Sequence, residues 1–165
     1  MKFTRLRAKA RQVFRRDRGA TDPILVIAAI AVSLVLLVGG SFAVAGMIAN
    51  GKNLNAQGDL DKIATAEAAV ASNGGTTYLN WSITAAGAIT GDNDSQGNKL
   101  HQQAVGFNTT DNEVVKVVAG ANGWVAGVQS QSGDKFYRSS MQSTTFKGSI
   151  PAANVPTGLT APTLP

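Results

Sequence analysis

The sequence predicts an α+β protein: a long N-terminal α-helix followed by a small C-terminal antiparallel β-sheet. Three observations carry this. The stretch Ile24 to Ile48 contains no charged residue and only Ser33 and Ser41 as polar side chains. Leu54 to Ala71 continues with small and apolar residues at helical spacing. After Gly75 the chain turns to short β-branched and aromatic runs separated by Gly, Asn and Asp. Half of the helix is thus apolar all round and suited to a membrane or the inside of an assembly. The other half is one-sided and suited to packing on the sheet.

Residues 1–19 form a basic leader. Its first 18 residues hold eight basic side chains against the single acid Asp17, a net charge of +7. From Gly19 onward there are seven basic and nine acidic groups, a net of −2, so the high pI of about 9.8 belongs to the leader alone. A basic run beside an apolar span marks the side of a membrane that stays cytoplasmic. No specific nucleic-acid binding is expected from it. The absence of cysteine excludes a disulfide framework and thiolate metal sites.

Gly19-Ala20-Thr21-Asp22-Pro23 interrupts the leader and signals a helix start. Proline is at home in a first helical turn, where its missing N–H needs no partner, and Thr21 or Asp22 can cap the turn. The apolar run spans about 37 Å as helix, enough for a bilayer core of about 30 Å. Lys52, Asp59, Asp61, Lys62 and Glu67 are expected to lie mostly away from the apolar stripe of the second half. Asn73-Gly74-Gly75 is a stop signal, which puts the long helix over residues 20–72 with its membrane or filament segment over 24–48. Gly39, Gly40, Gly46, Gly51 and Gly58 each weaken the helix by up to about 1 kcal/mol, and local unwinding between 39 and 51 is the expected result.

The sheet domain is placed over residues 73–147. Thr76 to Thr84, Glu113 to Val118, Trp124 to Gln129 and Lys135 to Ser139 read as strands. A Gly/Asp/Asn-rich loop over 87–99 separates the first two. Short turns at Gly120–Gly123 and Ser132–Asp134 suit an antiparallel meander. Trp81, Trp124, Phe136 and Tyr137 fall on strand patterns and are assigned to the core. Residues 148–165 contain every proline after Pro23 and read as an irregular or mobile tail.

This layout resembles the type IV pilin and pseudopilin superfamily, and in particular its Gram-positive and actinobacterial members. The matching features are the basic leader ending in Gly19, the apolar helix directly after it, the stretch Asn53 to Ala68, and the strands from Glu113 to Ser139. The resemblance implies cleavage by a prepilin peptidase between Gly19 and Ala20. A mature helix from Ala20 to Ser72 has the length expected of the family. It also implies a homo-oligomeric filament built with membrane and pilus assembly machinery. The cell-membrane precursor would be single-pass with a cytoplasmic N-terminus, and the filament extracellular. The family places Glu at the fifth mature position; this chain has Ile24 there, and Asp22 is the nearest acid and the assembly candidate.

Two other readings of the apolar segment stand beside this one. Ala43-Val44-Ala45 has the A-x-A form of a secretory cleavage site, and an uncut chain would be a plain membrane anchor. Either leaves an extracellular binding domain that does not polymerise. Asp92-Asn93-Asp94-Ser95-Gln96-Gly97 resembles the start of a calcium loop, but Gln103 stands where a bidentate Glu belongs. We read it as a solvated turn, with calcium at Asp92 and Asp94 as the alternative and no other cofactor expected. His101 is the only histidine, and no nucleophile–base pair or carboxylate pair is marked out, so no enzyme is expected.

Overall fold

The structure, a computed structural model, describes residues 23–72, 78–91 and 113–165. The fold is α+β. One helix, α1 (Pro23–Ser72), precedes six strands: β1 (Trp81–Ile83), β2 (Ile89–Thr90), β3 (Val114–Gly120), β4 (Gly123–Gln129), β5 (Lys135–Ser139) and β6 (Gln142–Lys147). The chain divides into two compact units, Met1–Ala45 and Gly46–Pro165, and α1 contributes to both.

α1 begins at Pro23, where the sequence signals a start, and its 50 residues reach Ser72 as one α-helix. The unwinding expected between 39 and 51 does not occur. Each glycine there costs backbone entropy but offers the chain no competing hydrogen-bond partner, and the neighbouring Ala, Leu, Val and Met residues propagate the helix.

In the Gly46–Pro165 unit the strands form one antiparallel sheet in the order β2-β1-β3-β4-β5-β6. Ala56, Leu60, Ile63, Ala66 and Val70 of α1 pack on one face of it. Their spacing of three and four residues keeps them on one stripe of the helix. Opposite them stand Val115, Val117 and Ala119 of β3 and Trp124, Ala126 and Val128 of β4, alternate residues of each strand. Trp81, Ile83 and Phe136 complete this core, and Tyr137 is buried on the opposite face, as the strand pattern suggests.

The stripe also carries charge, against expectation. Asp59 and Glu67 are both buried, Glu67 completely. Asp59 is held by Lys62 at 2.5 Å, and the partners of Glu67 are described below.

Three strand boundaries differ from the sequence reading. β1 is limited to Trp81–Ile83 because the chain before it is used differently. The Leu79 N–H bonds a side chain of α1, and Asn80 Oδ1 takes the Ala119 N–H at 2.8 Å in place of a ladder carbonyl. Ile89–Thr90, read as loop, returns beside β1 through a turn in which Gly87 adopts φ +78°. β6 was not legible as a strand because this edge sequence, Gln142-Ser143-Thr144-Thr145-Phe146-Lys147, has no apolar alternation.

The tail is irregular but not loose. Residues 148–165 hold only a short 3-10 turn, Ala152–Asn154. Ile150 and Leu164 are nonetheless buried with Val125 and Tyr137 on the sheet face opposite α1. Lys116 Nζ donates to the Thr163 carbonyl at 2.9 Å and Lys135 Nζ to that of Leu164 at 3.0 Å. The prolines limit regular structure, yet they do not prevent apolar burial. With both faces covered, β4 is buried along nearly its whole length.

Candidate functional site

The apolar part of α1 is the feature that most needs a partner. Its large side chains are open along its length: Ile24 is 72% exposed, Leu36 69% and Phe42 76%. A water-exposed apolar surface of this extent marks a site of interaction with protein or membrane. The helix is long and apolar enough to cross a membrane. Its two polar side chains are satisfied within the helix. Ser33 Oγ donates to the Ala29 carbonyl at 2.8 Å and Ser41 Oγ to that of Leu37 at 2.7 Å. No side-chain hydroxyl therefore demands a partner from hydrocarbon. Gly39, Gly40 and Gly46 have no side chain or distant backbone within 4 Å of where a Cβ would stand. Among the described residues nothing approaches these positions closely enough to require glycine.

Three polar ties fasten α1 to the sheet in the Gly46–Pro165 unit. At Asn53, the amide donates to Asp134 Oδ2 at 2.6 Å and the carbonyl oxygen accepts from Ser132 Oγ at 2.5 Å. Lys147 Nζ reaches the same Asp134 oxygen at 2.8 Å. These donors hold the Asp134 carboxyl below its ordinary range, with Lys147 the larger influence. The second tie is an ion pair between Asp61 and Arg138. The third is Glu67.

Glu67 is fully buried, and both of its oxygens are engaged. Trp81 Nε1 donates to Oε1 at 2.8 Å, and the Leu79 N–H donates to Oε2 at 3.1 Å. Burial pushes its pKa up from 4.5 to about 7, outweighing the two donors, which act in the opposite direction. Sequence reasoning placed Glu67 away from the stripe. Its spacing gave the contrary signal, since it stands four residues after Ile63 and three before Val70.

Of the residues singled out from sequence, Gly19, Ala20 and Asp22 lie outside the described residues, as do Asp92, Asp94 and His101. Among the described residues no group of three or more His, Asp or Glu could hold a metal ion. No family model, curated protein or solved structure matches this chain.

Proposed function

We propose that the chain is a structural subunit of a type IV pilus-like or type II secretion-like filament. Its precursor is held in the membrane by Ile24–Ile48, cleaved after Gly19, and assembled through the apolar part of α1. The observation that carries this reading is an uninterrupted helix whose apolar half exposes its large side chains while its other half is fixed to a sheet. Moving such a helix from lipid into a bundle of like helices exchanges one apolar environment for another. Close van der Waals contact then decides the association. Ala28, Ala29, Ala31, Gly39, Gly40 and Ala43 would permit that approach. In this reading Asp22, two positions before Ile24, supplies the carboxylate that pairs with a neighbouring N-terminal amine, a charge costly to bury without such a partner.

The test is the mature N-terminus, measured by mass spectrometry on native material from cells with and without their prepilin peptidase. The expected start is Ala20, lost when the peptidase is absent. A start at Gly46 would make the chain a secreted domain, an uncut chain would make it an anchored one, and either result overturns the filament reading. A second variant isolates assembly. A Cβ added at Gly39 meets no described atom within 4 Å, so Gly39→Leu should leave membrane insertion intact while filaments, seen by electron microscopy, are lost.

A further inference from the structure

We propose that one end of the Gly46–Pro165 unit seats on the phosphate layer of a bilayer. The end in question is formed by Lys52, the turn Ser130–Asp134, Lys135 and Lys147. The proposal rests on reading Ile24–Ile48 as a membrane-crossing segment, and it names the surface that meets the headgroups when that segment is inserted.

Strand register defines this end. Lys135 lies opposite Gln129, the last residue of β4, and Lys147 lies opposite Phe136. Both lysines therefore flank the β4–β5 turn. The Asn53 tie to Ser132 and Asp134 brings α1 to the same turn. Lys52, one residue earlier, lines an open groove of about 440 Å³ with Gln131 and Gly133. From Ile48 to Asn53 the helix rises only about 7.5 Å, while the headgroup layer on each side of a bilayer core is roughly 5–8 Å deep. A helix that leaves hydrocarbon at Ile48 thus reaches the β4–β5 turn within the headgroups.

The surface chemistry of this end agrees with that depth. The exposed large apolar residues described in this unit are Met47, Ile48, Leu54 and Met141. The first three belong to this end, and Met141 lies in the β5–β6 turn at the other. Among the described residues the charged side chains here are Lys52, Lys135 and Lys147 with Asp134 and Glu113. Lys147 pairs with Asp134, Lys135 donates to the Leu164 carbonyl, and Glu113 is only 8% exposed. Lys52, the lysine next to the apolar span, can therefore direct its ammonium group to phosphate while its stem covers apolar surface.

The chain has no cysteine, so single cysteines report one position each. Leu36→Cys, Gln131→Cys and Met141→Cys, each in the full chain, are labelled with a fluorophore and reconstituted in phosphatidylcholine vesicles with and without phosphatidylglycerol. Nitroxide lipids labelled on the acyl chain or on the headgroup then quench by proximity. Quenching of the Leu36 site by acyl-chain nitroxide is expected. Met141 stands a strand length of roughly 17–23 Å from the β4–β5 turn, so headgroup nitroxide is expected to quench Gln131 at least about twofold more than Met141. Phosphatidylglycerol should strengthen the Gln131 signal, and Lys52→Gln should weaken it.

If Leu36 escapes acyl-chain quenching, the membrane-crossing reading falls and this proposal with it. If Leu36 is quenched while Gln131 and Met141 respond alike, this proposal alone is overturned. If Gln131 sits at the headgroups but ignores both phosphatidylglycerol and Lys52→Gln, contact with phosphate is overturned.

Discussion

Glu67 makes the stability of the sheet unit depend on pH in a direction opposite to that of most carboxylates. A surface-paired acid has a depressed pKa and favours the fold at higher pH. Glu67 has a raised one, about 7 against 4.5. Between those values the folded chain keeps a proton that the unfolded chain has released, so stability falls as pH rises through the window. At about 1.36 kcal/mol per unit, the full loss is about 3 kcal/mol, complete near pH 8. Glu67→Gln removes the titration. Its amide oxygen can still accept from Trp81 or Leu79, but its NH₂ meets the other donor, which costs about 1–3 kcal/mol at pH 5. The two proteins should therefore approach equal stability near pH 8. The assay is urea unfolding of the full chain in non-ionic detergent at pH 5 to 8, followed by tryptophan fluorescence. Trp81 and Trp124 are the only tryptophans, and both are buried in the helix-facing core. His101 is present in both proteins, so whatever it contributes cancels in the comparison. A flat wild-type profile, or the same slope in Glu67→Gln, would refute the argument.

Three further outcomes follow from packing. Leu60 is fully buried at the centre of the α1 stripe, so Leu60→Ala should lower unfolding free energy by about 2–5 kcal/mol in the same titration. Gly127→Ala places a Cβ 3.0 Å from Tyr137 Cε1, 3.1 Å from Pro162 Cγ and 3.2 Å from Leu164 Cδ1. The Leu164 methyl signals should then shift in NMR spectra, while those of Val128, in the core on the other face of β4, change less. Asp61 is 74% exposed beside Arg138, so Asp61→Ala should shift stability by less than about 1 kcal/mol, checked by thermal unfolding.

The parts of the fold that were legible in sequence are those where one physical demand acts alone. An uncharged run bounded by Pro23 has few alternatives to helix, and Trp124–Gln129, enclosed between two Gly-containing turns, has few alternatives to strand. The parts that were not legible answer to distant partners. β6 is an edge strand whose pairing with β5 leaves no hydrophobic trace in Gln142–Lys147. The tail reads as irregular or mobile because proline removes regular hydrogen bonding, and irregular it is. Its order comes instead from two buried apolar side chains and from lysines that donate to its carbonyls. Glu67 was misplaced because charge was taken as a mark of exposure. A buried carboxylate becomes tenable only when donors such as Leu79 and Trp81 arrive from another element.

These ties also explain how the helix keeps one register on its sheet. Leu60 and Ile63 fill the middle of the stripe, but Ala56 and Ala66 on either side present little relief, so apolar contact alone separates neighbouring registers less sharply. Asn53, Asp61 and Glu67 are spaced along α1 and reach three separate points of the sheet, Asp134 in the β4–β5 turn, Arg138 on β5 and Trp81 on β1. A slip of one helical turn moves α1 by about 5.4 Å and breaks all three ties together. It also leaves the Glu67 oxygens without donors in an apolar core, the costliest of the three losses. The exposed Asp61–Arg138 pair adds little stability by itself, so its contribution is geometric. The register it helps to select keeps Asn53 at the β4–β5 turn, only five residues beyond the last apolar side chain of the run.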